Sequence, residues 1–289
     1  ENYAKAKSLP VDFLENLGLQ TVFTNGKPAV RMPYYDRGGS EVAVRMRIAL
    51  TGAERFRWRN GSKLHPYGLW KLPTSGDVIV VEGESDCHAL WHHGTHALGI
   101  PGAQSWRPEW ADNLDGLTVY VWQEPDAAGG GFVDKIGASL PDALVISAPI
   151  RRKDISECHV LGDDVPALLQ QLRATARPYR EIAAERRNEQ AAQAKQAAGT
   201  LLTSPDILGQ FGDLCASLGL IGEHRTARLL YLAFTSRLLD RPISVVVKGP
   251  SSGGKSHTVE TVLRAFPETA YYALSSMSDR SLAYSDEPL

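Results

Sequence analysis

The chain has few cysteines, little net charge and no long apolar run, and each shortage excludes something. Its 289 residues hold three cysteines, Cys87, Cys158 and Cys215. They are odd in number, far apart and without any paired spacing. That argues against a disulfide framework or a zinc ribbon and fits a reducing, cytoplasmic setting. No stretch of about 18 apolar residues occurs, so neither a transmembrane helix nor a membrane partner is expected. No signal peptide opens the chain, and its first residue is Glu1 rather than Met, which suggests a fragment or a processed chain. The net charge is −2, so the molecule is no polycation and any nucleic-acid surface must be a local patch. At 43% hydrophobic and 22% charged, the remaining composition is that of a soluble globular protein of two or three domains.

What is present centres on Val78-Ile79-Val80-Val81-Glu82-Gly83-Glu84-Ser85-Asp86. Four apolar β-branched residues in a row read as a strand buried on both faces, as in a parallel sheet. The run ends on an acid, Glu82, where open α/β sheets place their ligands. Gly83 permits a sharp turn there. Ser85 or Asp86 is then expected to cap a helix opening at Cys87. A second such strand, Leu117 to Trp122, runs into Gln123-Glu124-Pro125-Asp126-Ala127-Ala128-Gly129. Glu124 and Asp126 stand one residue apart and can lean into one site. If the strands are neighbours, Glu82, Glu124 and Asp126 converge. Clustered carboxylates need a cation between them, and hard oxygen donors favour Mg²⁺ or Mn²⁺.

These motifs resemble the Toprim family, the catalytic fold of bacterial-type primases, topoisomerases and some nucleases. That family carries Glu-Gly at one strand end and Asp-x-Asp-x-x-Gly at another. Glu82-Gly83 matches the first, and Glu124-Pro125-Asp126-Ala127-Ala128-Gly129 the second, with Glu124 where the family usually has Asp. Lys153-Asp154 matches a later Lys-Asp of the primase branch. The resemblance covers roughly residues 75 to 160. It implies Glu82 and Asp126 as catalytic residues, with Glu82, Glu124, Asp126, Asp86 and Asp154 around a divalent metal. Asp154 as a plain helix cap is an equal alternative.

The segment before it is basic. From Lys27 to Lys63 nine basic residues stand against three acids. Alternation places Ala43, Arg45 and Arg47 on one strand face and Val44, Met46 and Ile48 on the other. It likewise puts Arg55, Arg57 and Arg59 opposite Phe56 and Trp58, which are expected in the core. Arg45, Arg47, Arg57, Arg59 and Lys63, with Lys153, are candidates for nucleotide or nucleic-acid phosphate contacts. A solvated sheet face is the bland alternative. Bacterial-type primases carry a basic subdomain in the matching place.

Cys87, His88, His92, His93 and His96 crowd one segment. His88 and His92 are one helical turn apart, a possible metal pair. The segment lacks the Glu of His-Glu-x-x-His and a second Cys, so helix-surface histidines are expected. Residues 163–200 read as a helical linker. Two amphipathic helices are expected over 203–240, with Leu214, Leu218, Leu229, Leu230, Leu232 and Leu238 as apolar contacts. A buried strand, Ile243 to Val247, leads into Gly249-Pro250-Ser251-Ser252-Gly253-Gly254-Lys255-Ser256, a match to the P-loop pattern. Gly249 and Gly254 would shape the phosphate cradle, Lys255 would neutralise ATP phosphates and Ser256 would hold Mg²⁺. Few residues follow, so the ATPase core is expected to be cut off.

The expected fold class is α/β. A mixed α+β basic subdomain (1–74) precedes a parallel-sheet Toprim core (75–162), the helical linker (163–200), and a helical segment with the start of a P-loop NTPase domain (201–289). That order resembles a primase–helicase of a phage or mobile element. The resemblance implies metal-dependent primer synthesis from NTPs or dNTPs on a single-stranded DNA template, with homo-oligomerisation through the helicase domain. The alternatives are a Toprim nuclease, which would use the same acids to activate water, and a non-catalytic DNA-binding module of an ATP-driven helicase.

Overall fold

The computed structural model describes residues 1–24, 26–52, 54–250, 253–267, 270, 271 and 273. The chain divides into two units, Glu1–Ala191 and Ala192–Leu289.

The first unit opens with α1 (Asn2–Ala6) and α2 (Val11–Asn16), separated by Pro10, which precedes α2 in an extended conformation. Four antiparallel strands follow in sequential order: β1 (Gln20–Thr24), β2 (Lys27–Tyr35), β3 (Glu41–Arg47) and β4 (Phe56–Trp58). β1 escapes the sequence reading because it is an edge strand that buries little, with Phe23 76% exposed. The β3–β4 register pairs Arg45 with Trp58, Met46 with Arg57 and Arg47 with Phe56. Directly opposed residues share a face. Arg45 and Arg47 therefore lie on the inner face beside the aromatics, and Arg57 lies on the other. The single arginine surface expected from alternation is two surfaces.

A second sheet follows, with strand order β6-β5-β7-β8-β9. Its elements in chain order are β5 (Gly76–Val81), α3 (Glu84–His92), β6 (Ala97–Gly99), β7 (Leu117–Gln123), α4 (Ala127–Ser139), β8 (Leu144–Ser147), α5 (Ile155–Val160), α6 (Val165–Ala174) and β9 (Arg177–Pro178). All pairings are parallel except β8 with β9. Both faces of this sheet are covered, as the unbroken apolar runs require. On one face Ile79, Val81, Trp122 and Ile146 pack in one cluster with Met32, Tyr34 and Ala43 of the antiparallel sheet. On the other, Val78, Val80, Val119 and Val121 meet Phe132 and Ile136 of α4. Two helices start earlier than expected. α3 opens at Glu84, with Gly83 as its N-cap at φ 150, so Ser85 and Asp86 lie inside the first turn and do not cap this helix. α4 opens at Ala127 rather than Gly131, capped by Asp126.

The expected linker over 163–200 is not uniform. Val165 and Leu169 of α6 are buried in the first core, whereas α7 (Tyr179–Ala198) carries no buried residue. In the second unit, α8 (Ile207–Ser217), α9 (His224–Thr235) and α10 (Lys255–Leu263) enclose a small core of Phe211, Cys215, Leu220, Ala227, Leu230 and Val262. Of the six leucines expected as contacts, Leu230 is buried, while Leu214, Leu229, Leu232 and Leu238 are exposed. Ile243 to Val247 forms no strand, and Ile243, Val245 and Val246 are exposed. Among the described residues of this unit no strand stands beside it, and a lone strand leaves its backbone groups unpaired.

Candidate active site

β5 and β7 are adjacent and parallel, with Val80 opposite Val121. Their carboxyl ends therefore release Glu82 and Glu124 side by side. A cavity of about 320 Å³ opens there. Its carboxylates are Glu82, Glu84, Asp86, Glu124 and Asp154, and its cations are Lys7, Arg45, Arg47, Arg55 and Lys153. The acids come from the ends of β5 and β7, the first turn of α3 and the cap of α5. All the cations but Lys153 come from the N-terminal segment and the antiparallel sheet.

Each acid has a different state. Burial, and then the charges of Glu124 and Asp126, push Glu82 up to about 7. Its Oε1 is buried and has no hydrogen-bond partner. Burial also raises Glu124, against the pull of Lys153, whose Nζ lies 3.3 Å from Glu124 Oε2. Asp86 is 5% exposed, and burial, then Asp154, holds it well above the usual carboxylate range. Its Oδ1 accepts the Ser156 backbone N–H at 3.1 Å, which ties α3 to the start of α5. Asp154 caps α5, accepting from the Glu157 N–H at 2.7 Å. Asp126 is exposed and outside the cavity lining, because its Oδ1 accepts the Gly129 N–H at 2.9 Å. Among the described residues no three His, Cys, Asp or Glu side chains are gathered tightly enough to grip one ion. Lys153 engages Glu124 and the cap hydrogen bond engages Asp126, while the charges of both acids still reach Glu82. The donor set nonetheless fits a hard divalent ion: all-oxygen, clustered, and including an orphaned carboxylate oxygen.

Gly129 explains how α4 is seated. A Cβ there would stand 2.4 Å from the Glu124 carbonyl oxygen. Only glycine lets α4 approach the end of β7 this closely, so Gly129 sets where Glu124 points.

The cationic wall is built by stacking. The Arg45 guanidinium lies 4.1 Å from the Phe56 ring centre and 5.4 Å from that of Trp58. It bonds Glu84 Oε1 at 3.0 Å, and the Tyr34 hydroxyl donates to the same oxygen at 2.5 Å. Glu84, 2% exposed, is thus an anchor whose Oε1 is held by both Arg45 and Tyr34. Arg47 is 7% exposed, lies against Tyr3 and Phe56, and leaves its Nε unpartnered. Arg57, Arg59 and Lys63 are exposed and outside this cavity, with Arg59 bonded to Glu41 at 3.4 Å.

Sequence reasoning missed Lys7, Arg55, Glu84 and Tyr34 as site residues. Lys7 reaches in from the turn after α1 and donates to Ser156 Oγ at 2.9 Å, across 149 positions. Burial lowers Lys7 from its ordinary value, against the pull of Asp154 and Asp86. No local pattern signals such a contact. Glu84 and Arg55 stood inside motifs already noted, and their charge was the available signal.

His88 is not a surface histidine. It is completely buried, with Nδ1 2.8 Å from the Tyr3 hydroxyl and Nε2 2.8 Å from that of Tyr67. Burial, followed by Lys7 and Arg47, lowers it to about 3. In the second unit, Gly254 at φ 70 opens α10, and Lys255 Nζ bonds the Gly249 carbonyl at 2.9 Å. Ser251 and Ser252 of the P-loop match lie outside the described residues, and Ser256 is in the first turn of α10. Among the described residues no helix is long and apolar enough to cross a membrane.

No protein-family model matches the chain. The Gene 57 protein of Mycobacterium phage D29 is 30% identical over 115 residues, which is 39% of this chain and 76% of that protein. The RNA polymerase domain of Mycobacterium tuberculosis primase DnaG superposes with a TM-score of 0.51 at 17% identity, covering 72% of this chain and 84% of that one. The E. coli primase catalytic core superposes with a TM-score of 0.50 at 15% identity, covering 85% and 92%. At these identities the likeness is one of fold.

Proposed function

Since the chain belongs to the family of the phage D29 Gene 57 protein and shares the fold of bacterial primase catalytic cores, we propose that it is a DNA primase. It would join ribonucleotides or deoxyribonucleotides on a single-stranded DNA template as part of a phage primase–helicase. The observation that carries this reading is the cavity lined both by carboxylates from the ends of two parallel strands and by cations drawn mostly from the N-terminal segment and the antiparallel sheet. Nucleotidyl transfer needs both walls. One must hold divalent metal, and the other must hold a triphosphate.

Glu82, Glu124 and Asp126 would hold Mg²⁺ or Mn²⁺, with Asp86 and Asp154 behind them. Bound there, the ion would activate a 3′-hydroxyl and stabilise charge on the departing pyrophosphate. The chain's own groups do the rest. Arg45 is fixed between Glu84 and two aromatic rings, so its spare donors are already aimed when a phosphate arrives. Arg47, with an unpartnered Nε, and Arg55 would take further phosphate oxygens. Lys153 neutralises Glu124 and can exchange that carboxylate for a phosphate. Arg57, Arg59 and Lys63, on the outer surface, would follow the template backbone. The P-loop segment around Lys255 would bind ATP in the second unit, and helicase-type assembly there would make the protein a homo-oligomer. Three buried free cysteines suit the host cytoplasm.

The test is one reaction mixture: unlabelled single-stranded DNA, Mg²⁺ or Mn²⁺, and labelled NTPs or dNTPs. Labelled oligonucleotides are the expected product. Template cutting without synthesis would make the protein a nuclease. Retention of DNA with neither product would make it a binding module.

A further inference from the structure

Three imidazoles meet away from the acidic cavity. His92 and His93 close the C-terminal end of α3, and His159 lies in the last turn of α5. Their ring centres are 5.0 Å (His93–His159), 5.4 Å (His92–His159) and 5.5 Å (His92–His93) apart. His93 Nε2 and His159 Nδ1 are 3.0 Å apart. We propose that His92, His93 and His159 form a binding site for one divalent transition-metal ion of the zinc type, stapling α3 to α5.

Three observations carry this. An ion at about 2.0–2.1 Å from three imidazole nitrogens in tetrahedral array sets the ring centres roughly 5 Å apart, close to all three spacings found. His159 Nε2 lies 3.1 Å from the Ser8 carbonyl, the backbone partner that fixes a ligand's tautomer with Nδ1 unprotonated; that Nδ1 faces His93 Nε2 here and would exchange this contact for metal. The ends of both helices present carbonyl dipoles that favour a cation. Loading needs one rearrangement. Among the described residues no three such side chains are gathered tightly enough to hold an ion as they stand, so the exposed His92 ring must turn toward the other two. Imidazole donors select zinc, nickel or copper over magnesium, so this site and the carboxylate cavity would not compete for one ion.

The experiment is calorimetric titration of tag-free, chelator-treated full chain with zinc chloride, in millimolar Mg²⁺ to mask carboxylate binding. One ion per chain is expected at micromolar affinity or better. His93→Asn and His159→Asn should each weaken binding more than about tenfold. His92→Asn should do the same, and its exposed position keeps it folded should the others fail. Cobalt(II) chloride added to the unmutated chain should give the intense visible bands of tetrahedral coordination. No zinc binding in the micromolar range, equal binding by the unmutated chain and His92→Asn, or only pale octahedral cobalt bands would each overturn the proposal.

Discussion

Glu82→Gln should make the first unit more stable in neutral and alkaline solution while removing its chemistry. The reason is the environment of Glu82, which is half-buried near two other acids. These push it from an ordinary 4.5 to about 7. The sign follows from proton counting. Between those two values the native state holds a proton that the unfolded state has released, so stability falls as pH rises. Below 4.5 both states are protonated and the side chain contributes no penalty. Above about 7 the native state carries the whole penalty. At about 1.4 kcal/mol per unit the shift would amount to roughly 3 kcal/mol. Solvent screening at this half-exposed position reduces that to about 1–2 kcal/mol. Glutamine fills the same space without the charge. Thermal unfolding of both proteins at pH 8 and pH 5 should therefore show the variant ahead by a few degrees at pH 8, with the gap nearly closed at pH 5. Added Mg²⁺ should raise the unmutated protein more than the variant. A Gln variant that melts at or below the unmutated protein at pH 8, or a gap of equal size at both pH values, would refute the reasoning.

Three further outcomes follow from the same geometry. Gly129→Ala must push α4 off the Glu124 backbone, costing about 1–3 kcal/mol in chemical denaturation and displacing Glu124 enough to reduce primer synthesis. Arg45→Ala strips the buried Glu84 carboxylate of its cation and should destabilise the unit by about 3–5 kcal/mol, whereas Arg57→Ala on the exposed face should stay within about 0.5 kcal/mol; urea unfolding of the pair checks this. Arg57→Ala should instead flatten the salt dependence of single-strand binding by about 0.7 log units per lost phosphate contact, read by fluorescence anisotropy across a salt series.

The strands were readable because β-branched runs such as Val78 to Val81 have one economical placement, the middle of a sheet covered on both faces. The acids at their ends were readable because Glu82 directly follows its run and Glu124 follows its own by two residues, one past the end of β7. The arginine surface was misread because alternation along one strand says nothing about its neighbour's register. Only the pairing of Arg45 with Trp58 and Met46 with Arg57 decides who shares a face. Helix starts were misread at α3 and α4 because Gly83 and Asp126 begin each helix in the turn itself, ahead of the apolar residues that announce it. His88 was misread because its burial depends on two hydroxyls, Tyr3 and Tyr67, brought from far along the chain. The Gly-x-x-x-x-Gly-Lys-Ser pattern stands in the sequence, but a pattern does not supply neighbours for the strand expected before it, and none forms over Ile243 to Val247.

On the proposed function, the chemistry resides at the carboxyl ends of β5 and β7. The most direct test of that claim is primer synthesis on single-stranded DNA by the unmutated chain, Glu82→Gln, Asp126→Asn and Lys255→Ala, each first checked for an unchanged circular dichroism spectrum. The two acid variants should lose product by more than about a hundredfold, in keeping with the loss of metal-held transition-state charge stabilisation. Lys255→Ala should retain full synthesis. Equal product from the acid variants and the unmutated chain would contradict the claim.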